Sequence, residues 1–199
     1  MQYNVTAIER EYASGGSEIG EKLAAKLGVP CYGQEILEKA AAKLNMPSRQ
    51  LSELEENMTG SLLFSLVAFS NVVSGKEADF LNIEQKLAIA ETEVIRVLAM
   101  NPCVIVGRGV SALLKDSNKA LKVFIHADYN ARIERAVNLY KVDSKNSESV
   151  IRNYDKRRAN YFRATTGTEW RNPDIYHMLL NSTKLGIDSI VDILYTTVK

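Results

Sequence analysis

The chain has little of several things that would narrow its role at once. Of its 199 residues only two are cysteines, Cys31 and Cys103. Both sit in apolar runs, which predicts reduced core thiols and excludes a disulfide framework. Charge of one sign is missing too: the formal net charge is +1. Bulk electrostatics therefore gives no support to a nucleic-acid partner. The two histidines, His126 and His177, lie far apart in sequence with no third ligand type beside them, so no protein-bound zinc is expected. His126 reads as a satisfied strand-end residue rather than a base. No apolar run is long enough to cross a bilayer. The most apolar long run, Ser61 to Gly75, is broken by Ser65, Ser70 and Asn71. No charged segment followed by an apolar core opens the chain, so no signal peptide is expected and the cytoplasm is the predicted location. There is no internal repeat and no low-complexity tract.

What remains is ordinary for one globular domain with an inserted subdomain: 46% hydrophobic and 25% charged residues. The most informative stretch is Asn4 to Leu27. A short β-branched run (Val5, Thr6, Ile8) leads into a turn with Ser14, Gly15 and Gly16, after which Ile19, Leu23, Ala24 and Leu27 recur at helical spacing. Strand, glycine turn, helix is the layout in which a helix N-terminus offers free N–H groups to a phosphate. Against the phosphate-loop pattern G-x-x-x-x-G-K-[ST], Arg10 to Ser17 is a half match. Gly15 and Ser17 fit. Arg10 replaces the first glycine, and Gly16 replaces the lysine that normally reaches the β- and γ-phosphates, a contact worth roughly 3 kcal/mol in the transition state. A tight turn that binds nothing is the competing reading of this stretch alone.

Further along, Glu35 to Leu44 predicts a helix ended at Asn45–Ser48, with Ser48 and Ser52 as candidate N-caps and helix formers from Leu51 to Val73. Ile83, Leu87, Ala90, Val94 and Val97, spaced 4, 3, 4 and 3, form the clearest amphipathic helix. Cys103–Val106 and Val123–Ile125 are continuous apolar runs, as expected of parallel strands buried on both faces. Met178–Leu180 is the last strand and Gly186 to Val198 a closing helix. Strands alternating with helices imply right-handed crossovers and an α/β fold with a parallel sheet.

Ligands of such sheets bind beyond the carboxyl ends of the strands. There the sequence places Glu9, Arg10 and the glycine turn, then Tyr32 and Gly33, then Gly107–Arg108–Gly109, then His126 and Asp128, then Asn181 to Thr183. Arginines at two strand ends beside a helix N-terminus suggest an anion site. The other basic concentration is Arg152, Lys156, Arg157, Arg158 and Arg163, interleaved with Tyr154, Tyr161 and Phe162. It reads as a solvated face, a nucleic-acid surface, or a lid, hinged at Thr165–Thr168, that closes arginines over phosphates. Arg135 and Arg158 are the two expected to face a phosphate, and Trp170 is expected to pack at the lid's base.

The order of these pieces resembles the P-loop nucleoside monophosphate kinases and, within them, the cytidylate kinase-like family. The residues that carry it are Ile8 to Ile19, V-I-V-G-R-G (Val104 to Gly109), V-F-I-H-A (Val123 to Ala127), D-K-R-R-A-N-Y-F-R (Asp155 to Arg163) and N-S-T-K-L-G-I-D (Asn181 to Asp188). The resemblance implies a three-layer α/β/α domain with a five-stranded parallel sheet, its core at 1–44, 101–142 and 175–199, a helical monophosphate-binding insert at 45–100 and a lid at 143–174. It implies transfer of the ATP γ-phosphate to a CMP-like acceptor with Mg²⁺. By position, Arg10, Ser14, Gly15, Gly16 and Ser17 would hold the ATP phosphates, with Ser17 also reaching Mg²⁺. Tyr32, Arg108 and Arg157 would hold the acceptor, and Arg135, Arg158 and Arg163 would neutralise the transferring group. The chain departs from the family pattern at Gly16, where cytidylate kinases have lysine. It departs again at Ser17, commonly arginine in the kinase-like family, and at Gly33, commonly aspartate. Two functions stay open: a phosphotransferase, and a nucleotide- or phosphate-binding protein with little turnover. Small-molecule nucleotides are the expected partners, with no membrane or nucleic acid, for a monomer or homodimer.

Overall fold

The computed structural model describes residues 2–47, 49–50 and 81–199. The candidate caps Ser48 and Ser52, the helix formers from Leu51 to Val73 and the apolar run Ser61 to Gly75 lie outside the described residues. Strand β1 (Val5–Arg10) is followed by helix α1 (Gly16–Leu27), β2 (Cys31–Tyr32), α2 (Gln34–Leu44), α3 (Ile83–Leu98), β3 (Cys103–Val106) and the short α4 (Val110–Leu113). Then come β4 (Ala120–His126), α5 (Tyr129–Asn138), α6 (Ser147–Thr166), a 3-10 turn at Pro173–Ile175, β5 (Met178–Asn181), the short α7 (Ser182–Leu185) and α8 (Ile187–Val198). The five strands form one sheet in the order β2-β3-β1-β4-β5. Every pair is parallel, with Ile8 opposite Val106 on one side and Val123 on the other.

Period-two alternation sends successive strand residues to opposite faces, and both faces are covered, so the strands read as unbroken apolar runs. On one face Ile8, Val104, Val106, Val123 and Ile125 pack against Ile19 and Leu23 of α1 and Ile190 and Leu194 of α8. On the other, Ala7, Cys103 and Ile105 meet Ile36 of α2 and Val94 and Ile95 of α3. Helix α1 stops at Gly28, whose left-handed φ of 70° lets its N–H return to the last turn. Helix α3 starts with a reciprocal capping box between Asn82 and Gln85.

Two sequence expectations change here. Val97 is 57% exposed, and Ile95 takes the core position. The 3.6-residue period carries the buried face through Leu87, Glu91 and Ile95 beside Ala90 and Val94, so the stripe includes a carboxylate. The basic segment is one helix of 20 residues, α6, buried at Ile151 and Phe162. Thr165 and Thr166 are its last turn, with their hydroxyls donating to the carbonyls of Tyr161 and Phe162, and Gly167 ends it. Trp170 packs with Phe124, Phe162 and Tyr176 as expected. Among the described residues no helix is long and apolar enough to cross a membrane.

Candidate functional site

The turn between β1 and α1 lies at the carboxyl end of the central strand. Glu11 N–H donates to the Ile125 carbonyl (3.0 Å), and Ser14 Oγ donates to the Glu11 carbonyl (2.9 Å), which folds the turn on itself. Ser182 Oγ donates to the Ser14 carbonyl (2.6 Å), fixing the turn to the end of β5. Gly15 caps α1 at φ 81° and no side chain caps that end, so the first-turn N–H groups at Gly16 and Ser17 face outward with the positive end of the helix dipole. Ser17 itself is exposed.

Arg10 runs sideways from this turn. A Cβ on Gly16 would stand 2.4 Å from the Arg10 Cβ, and one on Gly107 would stand 2.0 Å from the Arg10 Nη1. The side chain therefore bridges the start of α1 and the end of β3, with its Nε buried and without a hydrogen-bond partner. Burial and the neighbouring Arg158 and Arg108, opposed by Glu9, lower Arg10 to about 9. Arg158 reaches over from α6: its Nη1 donates to the Arg10 carbonyl (3.0 Å) and its guanidinium lies 5.8 Å from the Tyr12 ring centre. Burial pulls Arg158 and Arg108 down as well.

Arg108, at φ 64°, points toward α3, where its Nη1 meets Glu91 Oε1 at 3.0 Å. The other Glu91 oxygen accepts from Tyr161 of α6 at 2.5 Å. Burial holds the Glu91 carboxyl above its ordinary range. Glu9, buried at the end of β1 between these arginines, is raised to about 7, chiefly by burial. One of its oxygens has no hydrogen-bond partner.

A cavity of about 370 Å³ opens over the turn, lined by Arg10, residues 11–17, Tyr140 and Arg158. A second, about 300 Å³, lies on the far side of Ala13 and Ser14, walled by Arg135, Asn138, Ser182, Thr183 and Ile187. Arg135 faces this second cavity and pairs with Glu18 of α1. Arg10 and Arg158 thus converge with the glycine turn, while Arg108, next to Gly107 on the track of Arg10, is turned to Glu91. Arg163 points instead to Glu169 (2.7 Å), and Arg157 lies 5.6 Å from the Tyr154 ring centre. Tyr32 is half-buried, packed below α2 and α3.

The residues that sequence reasoning missed are the carboxylates that hold the cations. Asp155 accepts from the Tyr12 N–H (2.8 Å) and from Arg132 Nη2 (2.7 Å), and Glu11 pairs with Arg132 (3.1 Å) and Arg171 (2.6 Å). Glu91 had a readable signal, a charge in the middle of an apolar helical stripe. Asp155 and Glu11 had none beyond a place in charged segments.

Converging cations, a buried partnerless Nε and an uncapped helix N-terminus fit a polyphosphate. None of the curated proteins matches the chain by sequence. Among solved structures, an uncharacterized protein from Eubacterium ventriosum ATCC 27560 aligns with a TM-score of 0.72 and 22% identity, covering 98% of this chain and 97% of its own. Shikimate kinase from Acinetobacter baumannii, in complex with shikimate, aligns with a TM-score of 0.51 and 13% identity, covering 98% of this chain and 93% of its own. Shikimate kinase from Bacteroides thetaiotaomicron gives 0.50 and 13%, with 97% of both chains covered. At these identities the likeness establishes the fold alone, which this chain shares with the two shikimate kinases. The family model described as the cytidylate kinase-like family matches residues 5–184, nearly the whole chain, and the protein belongs to that family.

Proposed function

We propose that this protein is an ATP-dependent phosphotransferase whose acceptor is a CMP-like nucleoside monophosphate. The observation that carries the reading is the meeting of Arg10 and Arg158, from two separate segments, in the cavity at the amide-rich start of α1. In this reading the cavity over the turn takes the ATP phosphates, against Ser14 to Ser17. The neighbouring cavity, with Asn138, Thr183 and Ile187 in its wall, takes the nucleoside end. Arg108, braced by Glu91, holds the acceptor phosphate, with Tyr32 and Arg157 toward the acceptor base. An acceptor phosphate oxygen bonds to the γ-phosphorus as the bond to the bridging oxygen breaks and ADP leaves. The attacking oxygen is already anionic, so the step needs positioning and charge rather than a base. Arg158 and Arg10 neutralise the moving group, and Arg135 and Arg163 act from the rim. Among the described residues no three His, Cys, Asp or Glu side chains form a metal set. The chain thus offers Mg²⁺ the exposed Ser17 hydroxyl, and the nucleotide phosphates supply the other ligands and the charge to be shielded. The division into core, insert at 45–100 and lid at 143–174 belongs to the same reading.

A second reading, a nucleotide binder without turnover, draws on Gly16 in the lysine's place and on the Tyr12 N–H already given to Asp155. ADP release from Mg-ATP, measured across a panel of nucleoside monophosphates, separates the two. The kinase reading expects turnover with a pyrimidine monophosphate and a fall of about 100- to 1,000-fold in kcat for Arg158→Ala. Tight ATP binding with no turnover on any acceptor establishes the binder instead.

A further inference from the structure

We propose that Arg10 and Gly16 are one exchanged unit: the cation that an ordinary phosphate loop carries on the first turn of its helix is here carried by the end of β1. Gly16 is the vacancy that lets it pass. This rests on the polyphosphate site proposed above and says which side chain does the lysine's work there.

Gly16 carries the argument. It stands in the first turn of α1 without a positive φ, so its backbone does not require glycine, and glycine is a poor helix former. Space requires it. A Cβ at this position would lie 2.4 Å from the Arg10 Cβ, 2.9 Å from its Cγ and 3.3 Å from the Ile125 Cβ. Beyond it the arginine passes Gly107, where a Cβ would meet Nη1 at 2.0 Å and Cζ at 3.0 Å. The two glycines form a track that delivers a guanidinium between the helix N-terminus and Arg108. That is between the place for a donor's terminal phosphate and the place for an acceptor's. No side chain at 16 can coexist with Arg10 in this pose, so a lysine and this arginine exclude each other. The buried Nε of this guanidinium has no hydrogen-bond partner, so the track carries a donor that the protein itself does not use. A planar guanidinium can bridge two phosphate oxygens where an ammonium meets one point.

The test compares wild type, Arg10→Gly, Arg10→Met, Gly16→Lys and the double variant Arg10→Gly/Gly16→Lys, by melting temperature and by calorimetric titration with inorganic tripolyphosphate and with Mg-ATP. Gly16→Lys alone lowers Tm by about 5 °C, and removing Arg10 recovers most of that loss. Arg10→Gly and Arg10→Met each weaken tripolyphosphate by about 10- to 100-fold, and the double variant returns to within about 10-fold of wild type. The inference is overturned by equal damage from Gly16→Lys with or without Arg10, or by tripolyphosphate affinity within twofold of wild type in both Arg10 variants. It is overturned equally if wild type binds neither ligand. Binding of tripolyphosphate but not ATP sinks the nucleotide reading and leaves the exchange standing. ATP binding indifferent to Arg10 does the reverse.

Discussion

Glu91 and Glu9 are carboxylates in places that ordinarily hold apolar side chains. Glu91 is 1% exposed, in line with Leu87 and Ile95, and answers both Arg108 and Tyr161. Its removal leaves Arg108 without that anchor: Glu91→Ala costs about 3–5 kcal/mol in urea unfolding. Glu91→Gln, which keeps the shape, raises KM for the acceptor about 10-fold or more with KM for ATP unchanged, read from ADP-release kinetics. Glu9 makes a prediction about pH. Its carboxyl is raised from 4.5 to about 7, so it is neutral in the folded protein where it is ionised in the unfolded one. The stability it confers is full below pH 4.5 and lost as pH rises to about 7. The loss is roughly 3 kcal/mol. Unfolding of Glu9→Gln, followed at pH 5 and pH 8, shows that much less change than wild type. The sequence displayed both residues at readable positions, one on a stripe and one at a strand end. Burial and partners were the hidden part: Glu91 is answered by Arg108 at the end of β3 and by Tyr161 of α6, and Glu9 is flanked by Arg10 and by Arg158 of α6.

Helix α6 shows how far an element can be read from its own letters. Its basic-aromatic composition is local and readable from Arg152 to Arg163. The side chains that fasten it are not local. Asp155 receives the Tyr12 N–H across 143 positions of sequence, and Arg132, 4% exposed, donates to the Tyr12 carbonyl (2.7 Å) as well as to Asp155 and Glu11. These bonds sew α6 and α5 to the glycine turn. Movement of α6 as a lid would have to break these bonds first. Asp155→Ala, which unpairs the Tyr12 N–H and one side of Arg132, costs about 2–4 kcal/mol in chemical denaturation. Hydrogen exchange at Tyr12 then speeds up, while exchange in β4 follows only the global loss of stability.

For the whole molecule, the sheet was the most legible part. Apolar runs at Cys103–Val106 and Val123–Ile125, each ending at the residues proposed for ligands, gave the parallel α/β class without any neighbour to copy. The strand order β2-β3-β1-β4-β5 places β1 at the centre, so its end lies against the end of β3 at Gly107 and receives Arg158 from α6. Which arginines would turn inward was not legible. Arg135, Arg158 and Arg163 look alike in sequence, yet one faces a neighbouring cavity, one the turn and one Glu169. For Arg158 and Arg163 the difference is set by how one 20-residue helix docks, and Arg135 is placed by the separate helix α5. The account's central claim, a pocket made for a chain of phosphates, is tested most directly by titrating ATP, ADP, AMP and adenosine into the wild-type protein at low and high salt. It predicts affinity rising with each phosphate and, for ATP, weakening as salt is added. Adenosine binding as tightly as ATP, or no binding by any phosphate-bearing member, would contradict it.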